Sequence, residues 1–326
     1  MKMIRLVTGI CWGIAALALV GVVIWILTGT IFGFGTGRSP FSGISFGINW
    51  ESLTGPYSAA GAYGEPADGI DSIKVDWIAG SVTVKPYDGS IIQFTEYAQR
   101  QLDDDEKLRY EISGGTLTIK YYENKINAVV NMPPKKLEVL VPNELCQDMK
   151  KLSIDSASSE VSVESFNVKT LEIESISGAK SLANITADSI VLDSASGRTD
   201  AENIVAREMR IKSISGGITL SDADIKTLDC NTTSGSKELS GAFTEVKLHS
   251  ISGRVSISSK VVPESLRIDT TSGGVTIAIP DEGAITVNHS STSGKLTSDI
   301  PITIHGKDAQ FSISTVSGAV KIVVLD

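Results

Sequence analysis

The 326-residue chain contains little of what catalytic and metal sites are commonly built from. It has three cysteines and three histidines. Three cysteines are too few for a disulfide framework, and no Cys/His spacing of the zinc-site type occurs. The sequence also lacks a phosphate-binding loop that opens a helix and a Ser-His-Asp constellation. It therefore favours a protein that is not an enzyme, and it predicts no catalytic, cofactor-binding or metal-binding residues and no cofactor.

Acidic residues are missing from the first 38 positions, whose only charges are Lys2, Arg5 and Arg38. The other 26 basic residues stand against 38 acidic ones, so residues 39–326 have a formal charge of −12. This excess of negative charge argues against nucleic acid as a partner.

No charged residue occurs between Leu6 and Phe34. This run exceeds the roughly 20 residues that a helix needs to cross a bilayer, so we expect a transmembrane helix over residues 6–34. Because Lys2 and Arg5 precede it, residues 1–5 are expected in the cytoplasm and the rest of the chain outside, anchored by a single span. A cleaved signal peptide is the alternative, but the run is long for one and no clear small-x-small cleavage site follows.

Residues 35–69 are rich in Gly, Ser, Pro and aromatic residues and show no period. This composition predicts a juxtamembrane linker.

One pattern is repeated nine times in residues 152–326, with starts 18 to 24 residues apart. We call the copies rungs 1 to 9 and number positions from the first residue of each. The rungs begin at Leu152, Leu171, Ile190, Met209, Leu228, Val246, Leu266, Val287 and Phe311.

Apolar residues alternate on both sides of a Ser-Gly pair in these rungs. Positions 1 and 3 are mostly aliphatic, positions 7 and 8 are Ser-Gly in eight of nine rungs, and positions 10 and 12 are mostly apolar again. This predicts two short strands joined by a glycine bend with positive φ. Ser159, which replaces the glycine in rung 1, should be strained, or its turn should differ.

A third apolar pair occurs near positions 15 and 17, as in Phe166 and Val168. Three apolar faces in about 19 residues describe one triangular turn of a coil. A propeller blade needs roughly 40 residues, so the period predicts an all-β, single-stranded β-solenoid with rungs about 4.8 Å apart. Each rung would be stabilised by its neighbours.

Serines at positions 5 and 7 should form two columns along the solenoid. Stacked hydroxyls allow a tight corner and hydrogen bonding along the axis. We expect this structural role rather than a nucleophilic one, because no His or Lys repeats beside them. The columns are Ser156, Ser175, Ser194 and Ser213, and Ser177, Ser196, Ser215 and Ser234.

Three carboxylates, Asp155, Glu174 and Asp193, occupy position 4 of successive rungs. Such a column could bridge Ca²⁺, but Lys212 interrupts it in rung 4, and a solvated charged face is the favoured interpretation. A metal site in the charged loop at residues 103–106 is a weaker alternative.

The histidines and cysteines are expected to be scattered. His249 at position 4 and His289 at position 3 should point to opposite faces, and His305 follows rung 8. Cys230 at position 3 should be a buried thiol. A Cys146–Cys230 bond has nothing to support it.

The β pattern begins irregularly in residues 70–151, which we expect to cap the solenoid. One copy starts at Ile73, with Trp77 at position 5 and Gly80 at the bend. A second would run from Leu108, with Gly115 equivalent to Gly80. A further strand covers Leu137–Val141.

At the other end, rung 9 is the last part of the chain, so residues 322–325 should form an open rim. This arrangement would permit end-on self-association.

The apolar leader, the stretch IDSIKVDWIAGSVTVKPYDG from Ile70 and the serial SISG, SASG and TTSG rungs resemble a bacterial "putative adhesin" family. The resemblance covers about residues 70–326. The family is a domain of unknown function with β-strand repeats, and it implies a surface-exposed β-solenoid in the cell envelope. It has no agreed activity and no catalytic residues, so it implies no site.

The leading hypothesis is therefore a non-enzymatic, membrane-anchored, extracytoplasmic solenoid with an adhesin-like binding or scaffolding surface. Its partner would be an envelope protein or a cell-wall polymer. The alternative is a regulatory protein that senses envelope stress and acts on a membrane partner. A more remote alternative is a carbohydrate-active β-helix enzyme, which would need convergent carboxylates in a cleft.

Overall fold

The computed structural model describes residues 56–122, 134–304 and 310–325, all of which belong to one compact unit. The predicted transmembrane helix, residues 35–55 of the predicted linker and His305 lie outside these ranges. In the part of the chain that the structure describes, no helix combines the length and apolar character that a membrane span requires.

The described fold is all-β, as predicted. Its N-terminal part contains six strands and one short helix. They are β1 (Ser58–Pro66), β2 (Ser72–Tyr87), β3 (Ile91–Ala98), β4 (Arg109–Ser113), β5 (Thr116–Lys120), β6 (Lys135–Pro142) and α1 (Asn143–Cys146).

The repeats form the remaining strands. They are β7 (Met149–Ser177), β8 (Lys180–Ser196), β9 (Thr199–Ser215), β10 (Ile218–Thr232), β11 (Lys237–Ser252), β12 (Val255–Ser259), β13 (Ser265–Ser272), β14 (Val275–Ile279), β15 (Ile285–Ser293), β16 (Leu296–Ser298), β17 (Ile302–Ile304), β18 (Phe311–Ser317) and β19 (Val320–Val324).

Successive rungs pair in parallel with like positions in register. Leu171 lies beside Ile190 and Met209 beside Leu228, so paired residues are 19 positions apart in the sequence. Where the repeat shortens to 18 residues the pairing follows it, and Leu228 lies beside Val246. The predicted solenoid is confirmed. From β8 to β10, each strand runs from position 10 of one rung to about position 7 of the next, and the chain leaves the ladder only at the glycine corner.

The interior is built from the predicted apolar positions. Ile173, Leu192 and Ile268 at position 3 are at most 1% exposed, and so are Val161 and Ile257 on the next side of the coil. The third side is closed as predicted by Phe166, Val168, Ile185, Ala187, Ile204 and Ala206, which are all buried. Because each rung covers the next, these residues form one continuous core.

Glycine at position 8 is required for two reasons. Gly216 has φ 139°, and a Cβ placed on it would lie 2.1 Å from the carbonyl oxygen of Gly197 in the rung before. The same carbonyl approach recurs from Gly178 onwards. Ser159 is absent from the residues with positive φ, and β7 continues through it unbroken, so its turn differs as the second of our two expectations stated.

A second corner, which sequence reasoning missed, lies at position 14. Ser165, Asn184, Asn203 and Asp222 have φ between 49° and 62°, the left-handed region that Asn and Asp tolerate better than most residues. The Asn203 Nδ2 donates a hydrogen bond of 2.7 Å to the Asn184 Oδ1 of the rung below. The 19-residue recurrence of short polar residues was the available signal.

The strand β2 is a full rung in the predicted frame, because Ile73 lies beside Leu152 and Trp77 beside Ser156. The prediction of a second irregular rung from Leu108 is wrong. β4 and β5 form an antiparallel hairpin around Gly114–Gly115, and β5 pairs with the first half of β2 rather than the second. Gly80 lies beside Lys135 of β6 instead of matching Gly115. A Gly-Gly between two apolar strands suits a hairpin as well as a solenoid corner, so the pattern was ambiguous.

The predicted linker is too long at its C-terminal end. Residues 58–66 form β1, which pairs antiparallel with β3, and β3 in turn pairs antiparallel with β6. Small residues hide the alternation of this edge strand, but Tyr63 stacks on Phe94 with ring centroids 5.5 Å apart.

The order of the last rungs differs from their order in the sequence. Rung 9 lies between rungs 7 and 8, because β18 pairs with β13 on one side and β15 on the other. β19 likewise lies between β14 and β16. The predicted open rim at residues 322–325 is therefore wrong for Ile322, which is fully buried. Val324 lies beyond the end of β16, pairs with β14 alone in the described part of the chain and is 39% exposed. Rung 8 forms the C-terminal edge.

Candidate ligand groove on the solenoid

A groove of about 1030 Å³ runs along the outside of the solenoid beside the Ser-Gly corner. Its floor consists of positions 4 to 6 of the β2 rung and of rungs 1 to 3, and it continues to Lys212 and Ile214 in rung 4. One wall comes from β4, β5 and the two tyrosines after β5. The groove therefore depends on both the repeats and the irregular N-terminal part.

The floor contains the predicted acidic column. Glu174 lies beside Asp193 in the ladder, and the structure extends the column to Asp76, which lies beside Asp155. Adjacent strands lie about 4.8 Å apart, so four rungs place four carboxylates along roughly 14 Å. Lys212 lies beside Asp193 and ends the column as predicted.

The four carboxylates differ in whether a lysine pairs with them. The Lys74 Nζ lies 3.2 Å from Asp76 and 3.0 Å from Asp155, and the Lys212 Nζ lies 3.7 Å from Asp193. Glu174 makes no ion pair within the described residues. Desolvation and then the neighbouring charges of Asp155, Glu172 and Asp193 raise the pKa of Glu174. The charge of Lys151 opposes this shift, so the negative charge at the centre of the column is partly offset.

Apolar side chains at position 6 run parallel to the carboxylates. Ile176 is 62% exposed, and Ile251 and Val316 at the same position of rungs 6 and 9 are also exposed. Within the groove the stripe consists of Ile78, Ala157, Ile176, Ala195 and Ile214.

The wall is held in place by a buried ion pair. Glu96 and Lys135 are at most 1% exposed, and the Lys135 Nζ lies 2.9 Å from the Glu96 Oε2. The same ammonium group donates to the carbonyl oxygens of Glu106 and Tyr121, while the Glu96 carboxylate accepts from the backbone N–H of Leu108. Burial lowers the pKa of Lys135. Because the partners flank β4 and β5, the pair fixes the hairpin against the solenoid.

The serine columns form the predicted hydrogen bonds along the axis in part. The Ser177 Oγ donates to the Ser158 Oγ at 3.1 Å, and the Ser194 and Ser213 hydroxyls lie 3.5 Å apart. Other position-5 hydroxyls close the corner within a rung, as where Ser250 donates to the Ser252 carbonyl at 3.0 Å.

Some polar atoms at the floor lack partners within the described ranges. The Ser156 Oγ, the Ser175 Oγ and the Asp193 Oδ1 make no hydrogen bond there. Ser156 itself is 9% exposed. All three residues line the groove.

Sequence reasoning missed the lysines that occupy inward position 10. Lys180 and Lys237 are at most 1% exposed. The Lys237 Nζ donates to the Ser250 Oγ and to the Ser252 carbonyl, whereas the Lys180 Nζ has no hydrogen-bond partner among the described residues. Desolvation lowers the pKa of Lys180 to about 8. The signal available in the sequence was a lysine at position 10, which is apolar in most other rungs.

The other candidates are not brought together. His249 is exposed and His289 half-buried. Cys146 and Cys230 are free and buried, and burial raises the pKa of both thiols to about 12. In the charged loop, Arg100 pairs with Glu106 and Lys107 with Asp104. No group of three or more His, Cys, Asp or Glu in residues 56–122, 134–304 and 310–325 is arranged to hold a metal ion.

The repeats, the glycine corner and the rung-like β2 show that the protein belongs to the class of β-solenoids. Residues 70–323 match the family described as Toastrack DUF4097, so the chain belongs to that family, a domain of unknown function. This confirms the resemblance that the rungs suggested.

Solved structures show the same fold at low identity. A "putative lipid binding protein" from Parabacteroides distasonis is 16% identical with a TM-score of 0.54, over 80% of this chain and 96% of the other. A "putative adhesin" from the same organism is 12% identical with a TM-score of 0.51, over 83% of this chain and 98% of the other. No curated protein matches this chain.

Proposed function

We propose that the chain is a non-enzymatic binding or scaffolding protein of the cell envelope whose ligand lies in the outer groove. The observation that carries this proposal is the floor of the groove, where the same side-chain set recurs on successive rungs over a continuous core. Binding sites built on strands keep their geometry better than sites on loops. The name of one structural relative, a "putative adhesin", agrees with this role.

The proposed position of the molecule follows from the leader. Residues 6–34 would anchor it in the membrane with the solenoid outside, where an envelope protein or a cell-wall polymer can reach the groove. Deleting residues 1–38 should release the protein from the membrane fraction. Retention of the shortened chain in that fraction would contradict the anchor.

A capture assay tests the binding role. The full-length chain, immobilised in mild detergent, is exposed to cell-wall polymer, envelope extract and host-surface material. Ala195→Trp should weaken capture markedly because the indole obstructs the groove. Thr271→Trp, at position 6 outside the groove, should not. Failure of the wild-type chain to retain any of the three materials would contradict the proposal.

The non-enzymatic part has its own test. The groove contains Asp155 and Asp193, the residues that a glycan-cleaving enzyme would use here. Turnover of any member of a polysaccharide panel that is lost in Asp155→Asn or Asp193→Asn would show that the protein is an enzyme.

A further inference from the structure

The apolar stripe at position 6 continues beyond the groove along the whole solenoid. We number the rungs as levels 0 to 9 in their spatial order, so the β2 rung is level 0, rungs 1 to 7 are levels 1 to 7, rung 9 is level 8 and rung 8 is level 9. At position 6, every even level carries a β-branched aliphatic residue and every odd level carries Ala or Thr. The large residues are Ile78, Ile176, Ile214, Ile251 and Val316.

This alternation is a property of the folded stack rather than of the sequence. In sequence order Thr271 is followed by Thr292 and then by Val316, so the alternation fails. Because rung 9 is inserted, Val316 lies between the levels of Thr271 and Thr292, and the alternation holds over all ten levels. Stacking alone does not require it, since position 3 inside the coil repeats large residues on adjacent levels, as in Ile154 and Ile173.

The large residues project into solvent. Ile176 is 62% exposed, Ile251 49% and Val316 50%. Even levels are about 9.6 Å apart, so a gap with Ala or Thr at its floor lies between successive large side chains. Alternating large and small residues on facing surfaces allow the surfaces to interdigitate. The stripe therefore has the shape of one half of an interdigitated interface.

A second copy of the same chain offers the matching half when it runs antiparallel. A two-fold axis across the stripe, between levels 4 and 5, places level n of one copy opposite level 9 − n of the other. Because 9 is odd, every large residue then faces a gap, as where Ile176 faces Thr271 of the second copy. A two-fold axis parallel to the solenoid would instead place each large residue against its own equivalent.

Charge favours the same register. At positions 2 and 4, which flank the stripe, level 4 carries Arg210 and Lys212 and faces level 5, which carries Asp229. Level 3 carries Asp193 and faces level 6, which carries Lys247. At these two positions of the ten described levels, no facing levels have net charges of the same sign.

Other registers are less favourable. A shift of the second copy by two levels also keeps large residues opposite gaps, but it shortens the overlap and in one direction brings acidic level 2 opposite acidic level 5. Some of these charges already have partners in their own chain, as Lys212 has in Asp193. Charge therefore selects the register more than it adds affinity.

The groove fits this arrangement. It spans levels 0 to 4, and the two-fold axis places levels 5 to 9 of the second copy over it, beside the wall of β4 and β5. The contact would be about 43 Å long, and with a width of about 10 Å it would bury roughly 900 Å² in total, the size of a weak, reversible interface. Each C-terminal half would cover the groove of the other copy.

We infer that the solenoid self-associates as an antiparallel two-fold dimer through the position-6 stripe. This inference goes beyond the proposed function, because the stripe extends past the groove to all ten levels. A second copy and a groove ligand would exclude each other.

Sedimentation velocity of the full-length chain in mild detergent, over a range of concentrations, measures the monomer–dimer equilibrium. Ile251→Asp should weaken the dimer by at least about tenfold, because it places a carboxylate against Ala195 of the other copy, twice per dimer. Val205→Asp is the matched control, since Val205 is 45% exposed but lies at position 16 on another side of the coil. It should leave the equilibrium unchanged.

Cysteine cross-linking determines the orientation. In a Cys11→Ser background, where Cys146 and Cys230 are buried, a chain with Ile176→Cys is mixed with a chain with Thr271→Cys and treated with a short bismaleimide. The mixture should give a cross-linked heterodimer. Each variant alone should not, because residue 176 of one copy would lie five levels, or about 24 Å, from residue 176 of the other.

Three results would overturn the inference. They are equal dimer affinities in Ile251→Asp and Val205→Asp, cross-links in the single-variant samples instead of the mixture, and a wild-type chain that stays monomeric up to its solubility limit. Thr271→Trp separates this inference from the proposed function, because it fills the gap at level 7 and should weaken the dimer while capture of a groove ligand persists. If the dimer fails while capture stays sensitive to Ala195→Trp, the proposed function stands. If only capture fails, the dimer stands.

Discussion

The glycine at position 8 allows two rungs to stack closely at the corner. At Gly216 the missing Cβ would fall on a backbone carbonyl, so the constraint comes from the neighbouring rung as well as from φ. Gly217, one residue later, has no such constraint, because a Cβ there would lie 3.7 Å from the nearest side chain. Gly217 can therefore serve as the control position for a substitution at Gly216.

Gly216→Ala should lower the free energy of unfolding by roughly 2–5 kcal/mol, from positive-φ strain and overlap with the Gly197 carbonyl. Gly217→Ala should change it by less than about 0.5 kcal/mol. Urea denaturation measures both. Similar values for the two variants would contradict the carbonyl approach.

Lys180 lowers the stability of the folded protein, since its buried ammonium group has no hydrogen-bond partner in the described part of the chain. Its pKa is lowered in the folded state, so the unfolded chain binds more protons between about pH 8 and the ordinary lysine value. Stability should therefore rise with pH through that interval, and the cost is fully present below it.

Lys180→Met should stabilise the protein at pH 7, by up to about 3 kcal/mol, because the folded state no longer buries that charge. The variant should also lose the part of the pH-dependent gain that Lys180 causes. Thermal denaturation between pH 7 and 10 compares the two proteins. Identical pH profiles would show that the Lys180 ammonium is solvated.

At the scale of the strand, alternation decides which substitutions matter. In β13, Ile268 is fully buried while the neighbouring Arg267 is exposed and pairs with Asp269 at 3.4 Å. Position parity alone predicted this from the sequence, as it predicted the three apolar faces. It could not predict the hairpin of β4 and β5, because alternating residues around Gly-Gly satisfy both a hairpin and a rung.

Ile268→Asp should cost roughly 4–5 kcal/mol and unfold adjacent rungs, because it buries a carboxylate without a partner. Arg267→Asp should cost less than about 1 kcal/mol, the scale of an exposed ion pair. Chemical denaturation, with hydrogen exchange to map the affected rungs, measures both. Equal effects would contradict the assigned alternation.

At the scale of the molecule, the order of the rungs is the main feature that the sequence could not predict. Val287 and Phe311 each begin a rung with an apolar residue, so Leu266 could pair with either of them, although rung 8 has polar residues at two inward positions, His289 and Ser298. The structure pairs Leu266 with Phe311 and leaves rung 8 at the edge. The groove could not be predicted either, because the sequence indicated its acidic floor but not the wall formed by the hairpin of β4 and β5.

Two deletions distinguish the observed order from a sequential one. Removing residues 310–326 takes out an interior rung and should lower Tm markedly, because rung 7 then keeps only rung 6 as a neighbour and rung 8 loses the rung on which it stacks. Removing residues 284–304 takes out the edge rung, leaves β18 paired with β13, and should be milder although more residues are lost. Differential scanning calorimetry provides the comparison. A milder effect of the C-terminal deletion would contradict the inserted rung.

The inserted rung also has a consequence for biogenesis. Rungs 1 to 7 can stack one after another as the chain emerges, since each adds to an edge already formed. Rung 8 cannot reach its final place by that route, because its neighbour β18 is made last. Rung 8 can therefore take its place only when residues 311–317 have been synthesised and, for the proposed extracytoplasmic domain, exported. A product truncated before β18 would leave rung 8 without the strand on which it stacks.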